Sequence, residues 1–372
     1  MLRALAAAER VRGSTSPNPW VGAVVVPPAS GAEPGAAGPA GPAVAAVAAV
    51  AAVAEIGVDD PGWFVGATAP PGGAHAEVAA LSAAGDFAEL ATLYVTLEPC
   101  AHHGRTPPCT DAIIASGVRR VVVGVEDPDP QVAGRGVAAL RSAGIDVEVG
   151  IGAAAVSEQL AAYLHHRRTG RPWVVLKLAS TLDGRTAAPD GTSRWITGED
   201  ARRDAHRLRA RSDAVLVGAG TVRVDDPSLT VRLPEGDPDH RTPDHQPLRV
   251  VLGHVPEGAA VLPALELGGD LTGVLDELGS RGVLQLLVEG GATVAHAFHA
   301  GGLVDRYVLY LAPALFGGDD ARPLFAGPGA ATLGGLWRGS IRSATSLGAD
   351  LRVELARPGT VEETTVDAVL SG

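Results

Sequence analysis

The chain has two cysteines in 372 residues, and both lie in one short segment, Pro99-Cys100-Ala101-His102-His103-Gly104-Arg105-Thr106-Pro107-Pro108-Cys109. His75-Ala76-Glu77 stands upstream. A fold that gathers these groups offers two thiolates and one imidazole to a metal. Structural zinc closes all four positions with protein, whereas this donor set leaves the fourth open to water, as in a catalytic zinc. His75, Cys100 and Cys109 are the assigned ligands. His102 and His103 also lie between the cysteines, but adjacent side chains on a tight turn rarely both reach one metal. A purely structural zinc, or two buried thiols, would leave Glu77 with no role at its spacing from His75. A metal and a helix N-terminus each lower a thiol's pKa, so both cysteines are expected to bind as thiolates. Thiols at ligand spacing, with none elsewhere, provide no disulfide framework and suit a reducing cytoplasm.

Hydrophobic residues make up 46% and charged residues 19%, a balance that allows an ample core. Aromatics are only 4%, so that core must be built mainly of Ala, Val and Leu. A formal net charge of -12 argues against a nucleic-acid surface. An anionic substrate therefore needs local Arg or Lys groups. The segment Met1 to Arg12 carries charges throughout, lacks a secretory apolar region and reads as a short helix. Residues 43–56 are an Ala/Val run with Glu55 as the single acid and no base. As a helix that run would rise roughly 21 Å, short of the roughly 30 Å of a bilayer core, so no membrane partner is expected.

The pattern is α/β throughout. Strands are expected at 21–26, 63–67, 92–96, 120–125 and 147–149, and helices at 75–84, 109–116 and 137–143, giving a sheet with helices packed on it. Residues 1–150 form this first domain, with a low-complexity Ala/Pro/Gly insertion at 27–61 in the turn between two strands. Long loops cost little closure entropy, so the insertion is compatible with an extended surface loop. A connecting helix is expected over 151–171, a second domain over 172–358 and a loose tail over 359–372. Strands of the second domain are expected at 173–178, 213–218, 248–252, 284–289 and 306–311, the last closing the sheet. A helix is expected over 200–211.

His-x-Glu paired with a Pro-Cys…Cys segment is the signature of zinc-dependent deaminases acting on amino-pyrimidines and related rings. Zinc lowers the pKa of its bound water, and Glu77 takes the water proton and returns it to the departing amine. Asn18, in Pro17-Asn18-Pro19, is either a hydrogen-bond partner of the ring or simply a turn residue before Pro19. Gly290-Gly291 follows a strand and precedes a helix, an N-terminal anion site suited to a cofactor pyrophosphate. It is not the G-x-G-x-x-G fingerprint, which argues against a dehydrogenase-type dinucleotide domain. Lys177 sits in a hydrophobic strand where a buried ammonium is costly, which favours a role in a site.

Longer motifs carry a resemblance. The first half shows Pro17-Asn18-Pro19-Trp20-Val21-Gly22-Ala23-Val24, His75-Ala76-Glu77-Val78, Tyr94 to Cys100, Gly104 to Cys109, and Asp127-Pro128 with Gln131 to Gly136. The second shows Lys177 to Thr186, Ser193-Arg194-Trp195-Ile196-Thr197-Gly198, Asp225 to Arg232 and Val288-Glu289-Gly290-Gly291. From about residue 3 to 357 the chain resembles the bifunctional deaminase/reductase of riboflavin biosynthesis. Eight residues between the cysteines, rather than two, separate this pattern from the cytidine and tRNA deaminases.

The resemblance implies a cytidine-deaminase-like α/β/α domain followed by a dihydrofolate-reductase-like α/β domain, with Zn2+ and NADPH as cofactors. The first domain would deaminate a phosphorylated ribosylamino-pyrimidinone. The second would reduce its ribosyl group, with Lys177 orienting or activating the sugar. Ala179, Trp195, Thr221, Asp225 and the run Gly291, Ala292, Thr293, Val294, Ala295, His296 and Ala297 would line the reductase cofactor. Ser193, Arg209, Leu229, Arg232 and Glu289 would hold its substrate. Arg105 and His102 would bind phosphate in the deaminase pocket, with His102 alternatively a loop cap. Homo-oligomers, dimer or tetramer, are implied, with strand 306–311 as a contributor. Position 129 is Asp where the family usually has Asn, and Ala101 stands where Ser is usual, both at expected deaminase substrate contacts. After Leu252 the family usually has a further strand-helix-strand passage, whereas this chain reaches Leu267-Gly268-Gly269 early, which predicts a shortened reductase core and an exposed sheet edge. Two other readings are a deaminase whose C-terminal domain is only a scaffold, and a non-catalytic zinc module.

Overall fold

The computed structural model describes residues 1–28, 62–104 and 106–357. Nearly all of the expected insertion, Arg105 and the expected tail lie outside the described residues. Two compact units divide at Thr169/Gly170.

The first unit runs α1 (Leu2–Val11), β1 (Gly22–Val26), β2 (Phe64–Ala67), α2 (Ala76–Ala84), β3 (Thr92–Leu97), α3 (Cys109–Ala115), β4 (Arg120–Val125), α4 (Arg135–Ser142), β5 (Asp146–Val149), α5 (Ala153–Gln159) and α6 (Ala161–Thr169). Its sheet has the order β2-β1-β3-β4-β5. β1 pairs antiparallel with both β2 and β3, while β3-β4-β5 is parallel. The strands flanking the insertion are thus direct partners, with Gly22 opposite Ala67 and Val25 opposite Phe64.

Small residues let helices sit close to this sheet. A Cβ on Gly66 of β2 would stand 2.3 Å from the Ala76 carbonyl oxygen and 2.4 Å from the Ala80 nitrogen. Only glycine permits that approach, and it brings the first turn of α2 against the sheet. The scarcity of aromatics follows, since Ala and Val fill the narrow gap between the layers.

Glu98, just past β3, is 4% exposed, yet its carboxylate is fully engaged. One oxygen accepts from the backbone N–H of Asp127 (3.2 Å) and Gly134 (2.9 Å), the other from Gly136 (2.9 Å) and Val137 (3.2 Å). A buried anion is tolerable only with such compensation. It ties the segment leading to Cys100 to the loop after β4 and to the start of α4.

Residues 151–171 are not one connecting helix. The helix breaks at Leu160, which is fully buried, and both pieces belong to the first unit. α5 is anchored because Gln159 donates to the Leu5 carbonyl of α1 at 2.9 Å. Gly170 ends the run at φ +74°.

The second unit runs β6 (Trp173–Thr181), β7 (Arg185–Ala187), α7 (Glu199–Ala210), β8 (Ala214–Gly218), α8 (Ala219–Asp225), β9 (Leu248–Leu252), β10 (Leu265–Leu267), α9 (Leu271–Ser280), β11 (Gln285–Val288), α10 (Ala292–Ala300), β12 (Arg306–Ala312), β13 (Arg322–Pro323), β14 (Ser340–Leu347) and β15 (Asp350–Ala356). Its main sheet has eight strands in the order β10-β9-β8-β11-β6-β12-β15-β14, and β7 pairs with β13 in a small separate ribbon.

Two expectations change here. The passage after Leu252 is present in compact form: β10, three residues long, pairs parallel with β9 at the sheet edge, and α9 follows. β12 does not close the sheet. It is hydrogen-bonded to β6 on one side and β15 on the other, so it presents no free edge to a second copy. The hairpin β14–β15 extends the sheet beyond it.

Replacing Glu98 by Gln leaves one oxygen to accept from four donors. We expect Glu98→Gln to lower the first unit's stability by about 3 kcal/mol, the cost of buried N–H groups losing their partner. Urea unfolding of the full chain, followed by a probe in the first unit, measures this.

Candidate active sites

Two helix starts and one loop build the metal centre. His75 is the N-cap of α2, and Glu77 lies in that helix's first turn. Cys109 opens α3, and Cys100 sits in the loop leaving β3. His75 Nδ1 lies 3.1 Å from Cys109 Sγ and 3.7 Å from Cys100 Sγ. The ligand atoms of His75, Cys100 and Cys109 all fall within 4.8 Å of one another. A tetrahedral zinc at ordinary bond lengths separates an imidazole nitrogen from a thiolate by about 3.6 Å, so the set fits the ion. Zinc held there lowers the pKa of a bound water toward neutral.

The surrounding groups suit that role. The Cys109 thiol donates to Cys100 and, with His75, holds the Cys100 thiol far below its usual range. The Cys109 backbone N–H also donates to Cys100 Sγ at 3.4 Å. Burial pushes the Glu77 carboxyl up to about 7. A carboxyl poised there exchanges protons readily near neutral pH. His102 and His103 are not part of the ligand set.

These groups open on a cavity of about 190 Å³. Asn18, His75, Glu77, Cys100 and His102 line it. The Asn18 backbone N–H closes a turn onto Thr15, and the residue also lines the cavity. His102 carries a buried Nδ1 without a hydrogen-bond partner and lines the cavity. Arg105 lies outside the described residues. The same wall holds Asp129, together with residues that sequence did not assign: Thr68, Asp127, Tyr163 and Arg167. The motif Asp127-Pro128 hinted at one of them. Tyr163 and Arg167 come from α6, which reads as a linker in sequence.

The second unit contains a cavity of about 930 Å³. Its floor is the start of α10, where Gly291, Ala292, Thr293 and Val294 all line the space. A Cβ on Gly291 would meet only the Thr221 hydroxyl, at 3.4 Å, so the backbone there is bare toward the cavity. Unpaired N–H groups at a helix start attract phosphate, and the cradle fits a dinucleotide pyrophosphate. NADPH bound there supplies hydride. Ala179, Ser193, Thr221, Asp225 and Glu289 line the same cavity, as does Lys177.

Glu289 is the electrostatic hub. Arg209 grips it with two hydrogen bonds, 2.5 and 3.0 Å, and Lys177 lies 3.9 Å away. Burial alone would raise the Glu289 pKa, but Arg209 foremost and Lys177 after it hold it at about 2. Burial lowers the Lys177 pKa, opposed by Glu289. His206 is pushed down to about 4 by burial and by Arg209 and Arg232, so it is neutral near pH 7.

Several predicted residues sit outside the cavity lining. Arg209 bonds Glu289, which does line it. Arg232 bonds Ser228 at 2.6 Å and lies beside His206. Leu229 is 2% exposed in the core, and Ala295 is fully buried. His296 bonds the Pro328 carbonyl at 2.9 Å, and Ala297 is exposed. Trp195 is 70% exposed, with the Arg202 guanidinium 4.7 Å from its ring.

The two centres define a zinc-dependent deaminase joined to a reductase. Residues 1–125 match the cytidine and deoxycytidylate deaminase zinc-binding region, and residues 172–353 match the RibD C-terminal domain. The riboflavin biosynthesis protein RibD of Escherichia coli (strain K12) is 38% identical over 364 residues, covering 88% of this chain and 90% of the relative. That of Chlamydia muridarum is 41% identical over 358 residues, covering 87% of each. The crystal structure of Acinetobacter baumannii RibD, form 1, superposes with a TM-score of 0.79 at 36% identity, covering 95% of this chain and 96% of that one. The Thermotoga maritima diaminohydroxyphosphoribosylaminopyrimidine deaminase/5-amino-6-(5-phosphoribosylamino)uracil reductase gives 0.76 at 32% identity, covering 95% of this chain and 97% of that one. The chain belongs to the RibD family, bifunctional deaminase/reductases of riboflavin biosynthesis that use zinc and NADPH.

Glu77→Gln keeps the three ligands and removes the proton carrier. We expect unchanged zinc content by metal analysis and ammonia release slowed by about 10²- to 10⁴-fold. Zinc lost along with activity would instead place Glu77 among the groups that hold the metal.

Proposed function

We propose that the first unit removes the 2-amino group of 2,5-diamino-6-ribosylamino-4(3H)-pyrimidinone 5′-phosphate, and that the second reduces the ribosyl group of the product to ribityl. The observation that carries this reading is the convergence of the His75, Cys100 and Cys109 ligand atoms within 4.8 Å of one another, beside a cavity that His75, Cys100 and the buried Glu77 line. Glu77 takes a proton from the attacking water and delivers it to the leaving amine. Asn18 positions the ring. His102 and Arg105 meet the phosphate.

In the reductase, the start of α10 holds the cofactor pyrophosphate, and Thr221 and Asp225 border it. Lys177 faces the sugar as a donor. Its ammonium is held in place by Glu289, and Arg209 is the counter-ion that keeps Glu289 charged. Ser193 lines the substrate end.

Among the described residues no helix is long and apolar enough to cross a membrane. A cytoplasmic compartment fits the two reduced ligand cysteines. A homo-oligomer, dimer or tetramer, fits the edge strand β14, where Ile341 is exposed.

Supplying the diamino substrate with NADPH, and following ammonia and NADPH separately, tests both halves. Ammonia release should need no NADPH, and NADPH oxidation should begin only after deaminated product forms. Ammonia without any NADPH oxidation at saturating cofactor would reduce the second unit to a scaffold.

A further inference from the structure

The deaminase cavity has a charge problem. Its wall carries the acidic groups of Glu77, Glu98, Asp127 and Asp129 beside a thiol ligand, and the substrate proposed above carries a phosphate. Arg167, from α6, is the one guanidinium on that wall among the described residues. Its Nε lies 3.5 Å from Asp129 Oδ2, and its Cζ lies 5.0 Å from the Tyr163 ring centroid.

Asp127 and Asp129 are locked by their own turn. Asp127 Oδ1 accepts from the Asp129 N–H and Asp129 Oδ1 accepts from the Gln131 N–H, both at 2.9 Å. Tyr163 donates to Asp127 Oδ2 at 2.9 Å. The turn therefore fixes each first oxygen, and α6 meets each second one. At position 129 an Asn would serve the turn equally well through its carbonyl oxygen. Its amide NH2 would then face Arg167, donor against donor. An Asp at 129 thus calls for a cation opposite its second oxygen, and Arg167 is that cation.

We infer that Arg167 is a positioning residue of the deaminase site, acting through Asp129: it neutralises and orients that carboxylate so the pocket accepts an anionic pyrimidine substrate. The inference rests on the deaminase reading given above. It makes α6 part of the catalytic unit's substrate wall and makes Asp129 and Arg167 a matched pair.

The test is a double-mutant cycle in the zinc-loaded full chain: wild type, Arg167→Met, Asp129→Asn, and both together, with Arg167→Lys as the charge-keeping variant. Ammonia release from the diamino substrate gives KM and kcat, and zinc content and the thermal midpoint are recorded for each protein. Arg167→Met should raise KM about tenfold with kcat nearly unchanged, the effect of one partly screened charge left uncompensated. The double variant should return KM to within about threefold of wild type, and Arg167→Lys should stay close to it. An unchanged KM in Arg167→Met overturns the inference. So does a double variant as impaired as Arg167→Met, or a loss of zinc and thermal stability that Asp129→Asn does not reverse, since either would mark Arg167 as a packing residue. A wild-type protein that releases no ammonia would instead sink the deaminase reading itself.

Discussion

One buried carboxylate organises the deaminase half. Glu98 accepts four backbone hydrogen bonds and sits two residues before the zinc ligand Cys100. It binds together the exit of β3, the loop after β4 and the first turn of α4. The zinc loop and the Asp127 turn therefore cannot shift independently. Four charge-assisted bonds outweigh the cost of burying one anion, and without them the pocket would have no rigid far wall.

The second half rests on the same physics with the charges reversed in number. Glu289 is a single anion serving Arg209 and Lys177. Two cations near one another are tolerated because the carboxylate lies between them in a poorly hydrated place. In each unit a buried glutamate at a strand's C-terminal end is the fixed point around which mobile chemistry is arranged. The buried centre of each sheet, built mainly of Val, Leu and Ala, supplies rigidity.

The zinc site was legible in sequence because its groups are concentrated between residues 75 and 109, and thiols, imidazole and carboxylate leave few alternatives. The Gly290-Gly291 turn was legible because bare backbone before a helix has a narrow range of uses. Tyr163 and Arg167 were not. They lie about 60 residues beyond Cys100 in a stretch whose Ala-rich pattern suits any surface helix, and only packing within the first unit shows what they face. The hairpin β14–β15 was missed for another reason. Ser340-Ile341-Arg342-Ser343-Ala344-Thr345-Ser346-Leu347 is polar and largely exposed, as an edge strand can be, and lacks the alternation that marks a half-buried strand. The resemblance gives Arg209 to the substrate, and sequence alone does not reveal that its guanidinium also bonds the Glu289 carboxylate across 80 residues.

Glu289 and Gly291 both line the reductase cavity and are separated by a single residue. Consecutive Cα atoms are about 3.8 Å apart, so the chain itself caps the distance between these two points at less than about 8 Å. The backbone positions that carry the carboxylate and that open the helix are thus held apart by bonded geometry rather than by packing. Thermal breathing of the surrounding helices can widen the mouth of the cavity, but it cannot stretch that internal ruler.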